Sequence, residues 1–220
     1  RPTEPEAARL LTQATFGPTE SAIQSVVSSG SVNAWITSQI SAPAASTTHL
    51  AHVSAVLAAS GNADDNEFYQ TWWRQALSGQ DQLRQRVAFA LSQIFVISLN
   101  DDVIDARGAA SYYDMLTRNA LGNYRDLLEE VTLHPMMGRY LTYLANQKED
   151  AAGTRSPDEN YAREVMQLMT IGLVELNADG TQRLNAGQPI ATYTSADIAG
   201  LAKVFTGISW YHPAPTNNTF

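Results

Sequence analysis

The sequence predicts a mainly α-helical protein, an irregular multi-helix bundle with one short β-hairpin near residues 173–190. Three observations predict this class. Apolar residues recur with the helical period along most of the 220 residues. Capping residues, glycines and prolines separate the periodic stretches. Strands and helices do not alternate as they would in a parallel sheet. We therefore expect a single helical domain over residues 1–220.

Start and stop signals divide the first half of the chain. Phe16, Gly17 and Pro18 separate the first two helices, Thr19 caps the second and Ser31 caps a third. A linker of small residues follows, and the next helices are predicted at about 49–59, 67–77 and 82–98. Asp81 is the predicted cap of the last of these. That helix is apolar on most sides after residue 87, so we place it at the centre of the core.

The second half continues the pattern and adds the hairpin. Helices are predicted at about 108–120, 124–133, 136–145 and 158–172, and Ser195 caps a last helix through about Phe205. Residues 173–176 and 183–190 are predicted to be extended, with a turn at residues 177–180 between them.

The composition excludes several functional classes. The net charge is -8, and Lys148 and Lys203 are the only lysines, so bulk charge does not favour nucleic acid as a partner. The absence of cysteine excludes disulfides, zinc–thiolate sites and a cysteine nucleophile. The nearly apolar run at residues 87–99 is too short to span a membrane. No signal peptide stands at Arg1, which fits a cytosolic chain or a mature exported one.

Residues 157–172 carry the densest polar chemistry in the chain. Pro157 suits a first helical turn after Ser156 as N-cap, and acidic residues follow at the positive end of the helix dipole. Asn160, Arg163 and Glu164 share one face by their spacing, together with Gln167. We expect Glu164 to bond Asn160, and Arg163 to hold Glu159.

This polar face has two interpretations. It is either a solvated helix surface with local ion pairs, or a polar cluster that faces a cleft. If it is a site, Glu164, Arg163 and Asn160 form its centre, since a carboxylate held by an amide and an arginine can act as a base or bind hydroxyl groups. Glu159 adds a second carboxylate for hydrolytic acid–base chemistry. Alternatively, the same residues brace helices together.

Other candidates for chemistry are weaker. His49 and His52 could share a helix face as metal ligands, but no third ligand is evident, and surface histidines explain them as well. We predict no metal site. No phosphate-binding loop, nucleophile elbow or other cofactor motif is present. Trp72 and Trp73 are predicted to be core residues, although one of them could line a sugar platform.

Five stretches of the sequence resemble the bacterial domain-of-unknown-function family 1800. They follow one another in the order seen in that family and cover nearly the whole chain. They are AARLLTQATFGPT at residues 7–19, LRQRVAFALSQIFV at 83–96, ALGNYRDLL at 120–128, DENYAREVMQLMTIG at 158–172 and FTG at 205–207. Together they are specific, whereas any one of them alone would be weak.

The resemblance implies an exported bacterial protein, in the periplasm, at the cell surface or outside the cell, that is often longer than this chain and often encoded beside a second exported family resembling sulfatases. It implies no established reaction. Many members show a Trp-x-Asn-His-Phe-like pattern at residues 90–95, where this chain offers no imidazole, so we expect no metal or acid–base role there. Met169 stands where the family usually has phenylalanine, which we interpret as a packing change.

Two functional hypotheses remain open. In the first, the chain is the N-terminal portion of a larger domain that hydrolyses or binds an extracellular polymer, with carbohydrate favoured, through Asn160, Arg163 and Glu164. In the second, it is a non-catalytic surface or assembly module in which that cluster is a brace and the aromatic segment at residues 210–220 meets a protein partner. A polar cleft with unpaired carboxylates favours the first, and a large apolar patch favours the second.

Overall fold

The computed structural model describes residues 1–45 and 47–210. The chain forms two compact units, Arg1–Thr132 (unit 1) and Leu133–Phe220 (unit 2). The described residues contain eleven α-helices, one π-helical turn and a two-stranded antiparallel hairpin. This confirms the predicted mainly α class with one short hairpin.

Helices make up most of unit 1, and the last of them ends at the boundary between the units. They are α1 (Glu4–Ala14), α2 (Glu20–Ser28), α3 (Val32–Ser41), α4 (His49–Ser60), α5 (Asp65–Ser78), α6 (Gln82–Ser92), α7 (Ala106–Asn119) and α8 (Tyr124–Leu133). Two predicted caps are confirmed, because Thr19 Oγ1 accepts from the Ala22 N–H and Ser31 Oγ accepts from the Ala34 N–H. Asp81 precedes α6 as predicted, but its carboxylate makes no cap bond and accepts from Gln85 instead.

Unit 1 buries two groups of apolar side chains. Helices α1 to α3 pack around Leu11, Val26 and Trp35, and helices α4 to α7 pack around Val53 and Phe68 among others. Each fully buried side chain of this size contributes about 1.5–3 kcal/mol. The second of these groups therefore fixes helices α5, α6 and α7 against one another.

The prediction that α6 is the centre of the core is wrong. The helix ends at Ser92 rather than near residue 98, and Ile94 and Val96 are exposed. The Ser92 hydroxyl donates to the Phe89 carbonyl, and the Tyr112 hydroxyl donates to the Phe95 carbonyl at 3.0 Å. These side-chain bonds compete with continuation of the helix. Helix α7 is the most buried helix instead, with eight buried residues.

Unit 2 is built from shorter elements. They are α9 (Pro135–Tyr140), α10 (Asn160–Glu164), a π-helical turn (Val165–Met169), β1 (Leu184–Asn185), β2 (Gln188–Pro189) and α11 (Ser195–Val204). Helix α9 stops five residues before its predicted end near residue 145, and Thr142 and Ala145 adopt left-handed backbone conformations. The cap of α11 is Thr194, not Ser195 as predicted, because Thr194 and Asp197 form a reciprocal capping box.

The hairpin lies in the predicted region, but its two strands are joined by a turn at residues 186–187 and not by the predicted turn at residues 177–180. Strand β1 pairs with β2 across Ala186 and Gly187, which both have positive φ and so suit a tight hairpin turn. The predicted extended segment at residues 183–190 therefore folds back on itself. The predicted turn also forms, since the Asn177 N–H donates to the Thr181 carbonyl at 2.8 Å. It joins isolated bridges rather than strands.

Stacked aromatic rings form the core of unit 2. The rings of Tyr143 and Tyr161 stack at 4.3 Å, and Phe205 meets Tyr161 edge-on at 4.9 Å. Burial raises the pKa of Tyr143, so this phenol stays neutral. Helix α10 packs on α11 through Ala162, which fixes the polar stretch at its N-terminal end. Among the described residues, no helix has the length and apolar character needed to cross a bilayer.

Candidate functional site

Asp158 starts the helix that carries the polar stretch. Its Oδ1 accepts a hydrogen bond from the Asn160 N–H at 2.8 Å, and its Oδ2 accepts from the Thr142 hydroxyl at 3.0 Å. The helix therefore begins at Asn160, not after Ser156 as predicted. Asp158 was expected to act on the helix dipole, and in the structure its carboxylate also bonds the first N–H of the helix and the Thr142 hydroxyl.

A buried amide fixes the backbone at this helix start. Asn146 Oδ1 accepts from the Asp158 N–H at 2.9 Å, and Asn146 Nδ2 donates to the Asp158 carbonyl at 3.4 Å. The Asn146 carbonyl in turn accepts from the Gly207 N–H at 2.9 Å. The sequence analysis did not identify this role of Asn146. An asparagine that follows a helix is too common in turns to signal a brace.

Two of the predicted site residues form an exposed ion pair. Arg163 lies 3.1 Å from the Glu159 carboxylate, and the two side chains are 46% and 43% exposed. This confirms the predicted contact. Exposed pairs one helical turn apart contribute only about 0.3–0.5 kcal/mol to stability, so this ion pair adds little to the stability of the fold.

The predicted bond between Glu164 and Asn160 does not form. The Asn160 amide nitrogen lies 3.5 Å from the Thr142 hydroxyl instead. Glu164 is half-buried, and its carboxylate has no hydrogen-bond or ion-pair partner among the described residues. The four predicted residues are thus neighbours along one helix, but bonds do not connect them into one cluster.

A π-helical turn follows Glu164 and changes which residues share a face. The Ile171 N–H donates to the Met166 carbonyl five residues earlier, and the Thr170 hydroxyl donates to the Val165 carbonyl. The wider turn brings Leu168 to the surface, where it is 62% exposed, although regular spacing predicts it on the apolar side. Single π turns inside helices are frequent at functional sites.

Unit 1 contains a groove of about 470 Å³ with mostly aromatic walls. It is formed by α5, the C-terminal end of α6, the segment that follows α6, and α7. We call it the aromatic groove, and it is lined by Phe68, Tyr69, Trp72, Trp73, Phe89, Ser92, Gln93, Phe95, Val96, Ile97, Ser98, Leu99, Ala109, Tyr112 and Tyr113. Its volume falls within the range of small-molecule sites.

The two tryptophans of the aromatic groove have different environments. Trp72 is half-buried and packs edge-on against Phe16 at 5.4 Å, which agrees with its predicted core position. Trp73 is 56% exposed, so its predicted core position is wrong. Tyr69, Trp73 and Leu77 follow one another at intervals of four residues and form an exposed stripe along α5. That spacing is the sequence signal that could have identified the stripe.

Polar groups lie beside these rings. Gln93 is exposed, and its amide nitrogen lies 3.4 Å from the Ser92 hydroxyl. Within the described residues, the backbone N–H and C=O groups of Val96 and Ile97 make no hydrogen bonds. The aromatic groove therefore offers hydrogen-bond donors and acceptors next to apolar ring faces.

Comparison with known proteins identifies the family of the chain. The family model described as "Protein of unknown function (DUF1800)" matches residues 9–220. The protein belongs to the DUF1800 family. The resemblance seen in the five sequence stretches is thereby confirmed. No curated protein and no solved structure matches the chain significantly.

Three of the four histidines of the DUF1800 protein, His49, His52 and His134, lie among the described residues. Among the residues that the structure describes, no three side chains of the ligand-forming types gather around one point. His49 is not a surface histidine, as one interpretation had it, but is fully buried. Its ring meets Tyr113 edge-on at 5.3 Å, and neither ring nitrogen has a hydrogen-bond partner among the described residues. Burial lowers the pKa of His49, and Asp114 opposes that effect.

We expect Glu164→Gln to leave the thermal unfolding of unit 2 of the DUF1800 protein nearly unchanged, within about 3 °C, because the carboxylate has no partner to lose. Asp158→Ala removes bonds from Asn160 and Thr142, and we expect it to lower the midpoint by about 5–10 °C. Differential scanning calorimetry of both variants checks this. A fall of similar size in Glu164→Gln would show that Glu164 is a brace.

Proposed function

We propose that the DUF1800 protein binds a hydroxyl-rich polymer, a carbohydrate, in the aromatic groove of unit 1. The observation that carries the proposal is the exposed indole of Trp73 beside the groove. A large aromatic ring left in water at the edge of a concave site is typical of a binding surface. The sugar platform considered from the sequence is thus supported at Trp73 rather than at Trp72.

The chemistry of the aromatic groove matches the two kinds of surface on a sugar ring. The C–H face of a sugar is apolar and packs on indole and phenol faces, here those of Trp73 and Tyr69. The hydroxyl groups at the ring edge need donors and acceptors. Gln93 and the unpaired peptide groups of Val96 and Ile97 supply both.

Binding without hydrolysis fits this groove better than catalysis. Hydrolysis of a glycosidic bond generally uses two carboxylates on either side of the bond. None of the described residues that line the aromatic groove is Asp or Glu. The residues predicted as catalytic lie in unit 2, where Glu159 is paired with Arg163 and Glu164 has no bonded partner.

We place the protein outside the bacterial cytoplasm, at the cell surface, in the periplasm or in the medium. The family resemblance supports this location, and the acidic, lysine-poor composition is compatible with it. Polymers of that environment are rich in carbohydrate. Two statements about the length of the protein stay predictions. They are that the chain forms one helical domain and that it is the N-terminal portion of a larger one.

We expect Trp73→Ala to weaken binding of a soluble polysaccharide at least tenfold, because alanine cannot replace the large indole ring on which the sugar packs. Isothermal titration calorimetry with soluble polysaccharides measures the change, because this readout does not depend on the indole that the variant removes. Trp210→Ala is the matched control, since Trp210 is 53% exposed and does not line the aromatic groove. Equal binding by wild type and Trp73→Ala would refute the proposed site.

A second candidate function, assembly with another protein, is favoured by apolar side chains at the surface of unit 2. The exposed residues include Leu168, Ile171, Leu173, Leu176 and Leu184. Exposed apolar groups of this size mark interaction surfaces when they form one patch. Most of the aromatic segment predicted as a partner surface lies outside the described residues, and only Trp210 of that segment is described. Sedimentation showing a monomer at every concentration would count against self-assembly.

A further inference from the structure

The aromatic groove carries no ionisable cation or carboxylate. None of its fifteen lining residues is Asp, Glu, Lys, Arg or His. Burial raises the pKa of the Tyr113 phenol to about 12, so this group is neutral at physiological pH. The polar chemistry of its lining is therefore limited to hydroxyl, amide, indole and peptide groups.

One charged side chain contacts a lining ring: the Arg86 guanidinium lies 5.6 Å from the centroid of the Phe89 ring. It also lies over the Phe16 ring at 5.5 Å and donates to the Gln13 carbonyl, so it already has partners of its own.

On the neighbouring surface of α5, Glu67 and Arg74 accompany Tyr69 and Trp73, and their opposite signs offset each other. The whole chain carries a net charge of -8, which disfavours the approach of a polyanion. A polycation would be drawn to the acidic surface in general, but it would find no carboxylate in the groove.

Binding of a charged sugar in the aromatic groove has an unfavourable desolvation free energy. Moving a uronate, sulfate or ammonium group out of water without an opposite charge is strongly unfavourable. A neutral hydroxyl loses less, and it regains its hydrogen bonds from Gln93 and from the unpaired peptide groups of Val96 and Ile97.

We infer that the ligand of the aromatic groove is an uncharged glycan, a polymer of neutral sugars without uronate, sulfate or amino groups. This inference rests on the proposed function and names the ligand class of the same site. Neutral sugars stack on Trp73 and Tyr69 through their ring faces, and their binding involves no ion pair.

The test compares polymers that differ in charge. Wild type and Trp73→Ala are titrated calorimetrically with a soluble neutral glucan, glucomannan and xylan, with polygalacturonate and alginate as polyanions, and with chitosan as polycation. Each titration is run at about 20 mM and about 300 mM NaCl, since salt screens charge-dependent binding. We expect at least one neutral polymer to bind, with a dissociation constant that changes less than about twofold between the two salt concentrations.

A charge placed at the edge of the groove gives an independent test. Gln93→Lys is expected to add polygalacturonate binding that weakens at least about fivefold at the higher salt concentration, whereas Gln93→Glu adds none. Failure of Gln93→Lys to bind the polyanion any better than wild type would contradict the inference that missing charge excludes it.

The outcomes separate the inference from the proposed function. Binding of a charged polymer that depends on Trp73 and falls about tenfold with salt would overturn the uncharged class but keep the groove as a binding site. No binding of any polymer, or binding that is the same in Trp73→Ala, would overturn the proposed function itself and the inference with it.

Discussion

Asp114→Ala is expected to destabilise unit 1 by about 3 kcal/mol, because it removes two charge-assisted hydrogen bonds at once. The Asp114 carboxylate lies on α7 and accepts from the N–H groups of His49 and Leu50, both at 2.9 Å. These are the first two N–H groups of α4, which have no partner inside the helix. The negative charge also lies at the positive end of the α4 dipole.

Thermal unfolding followed by tryptophan fluorescence measures this effect, since Trp35, Trp72 and Trp73 all lie in unit 1. We expect the midpoint to fall by about 10 °C. Asp102→Ala is the matched control, because Asp102 is exposed and makes no hydrogen bond or ion pair among the described residues. Thr48→Ala, which removes the local cap of α4, should lower stability by only about 1 kcal/mol. An unchanged midpoint in Asp114→Ala would show that water replaces the carboxylate without loss.

The second large effect is acid lability caused by His49. Burial lowers the pKa of its imidazole below the unfolded value, so the unfolded chain takes up a proton at a higher pH than the folded chain does. The contribution to stability is complete above about pH 6.5 and is lost as the pH falls below that value toward the folded pKa. Over that range we expect the free energy of unfolding to fall by up to about 1.4 kcal/mol per pH unit.

The charged groups around His49 modify this behaviour without reversing it. Asp114 and Asp81 favour the protonated imidazole, and His52 disfavours it, but the loss of hydration is the largest effect. Asp114 is already committed to the N–H groups of α4. A proton on His49 would therefore place a positive charge among Phe68 and Tyr113, where no acceptor bonds to the ring.

His49→Leu is the variant that tests this. It keeps a side chain of similar volume and removes two polar atoms that have no partner, so stability at pH 8 should change by less than about 1 kcal/mol. Urea unfolding between pH 8 and pH 5.5 should then show a flatter pH dependence than wild type. His134→Asn is the control, since it removes another imidazole but keeps an acceptor for the Met136 N–H. A slope in His49→Leu equal to that of wild type would contradict the assignment.

The helices of the DUF1800 protein could be predicted because the forces that define them act over a few residues. Helix α8 has the predicted bounds, and the start signals at Thr19 and Ser31 make the expected bonds. A cap contacts an N–H two or three residues away, so its partners are visible in the sequence. The same holds for the turn at residues 177–180, where Gly180 has a positive φ. The turn between β1 and β2 was not predicted, because Ala186 adopts a positive φ that its residue type does not favour.

The candidate site was only partly predictable. The ion pair of Arg163 with Glu159 is a contact within one helical turn, and its spacing sufficed to predict it. That Asn160 lies against Thr142 rather than Glu164, and that a π turn follows Glu164, is not encoded by the regular helical period. The exposure of Trp73 was missed for a related reason. A sequence of two adjacent tryptophans does not show which of them meets a neighbouring helix.

By itself, the sequence determined the helical class, most helix boundaries, the family and the exclusion of cysteine chemistry. The tertiary structure alone decided where α6 ends, that His49 is buried, that Asn146 holds the start of α10, and that the aromatic groove is open. The reason is distance along the chain. Asp114 meets His49 across 65 residues, and Tyr112 meets Phe95 across 17. These contacts depend on how whole helices pack against one another, and the local periodicity of the sequence does not predict that packing.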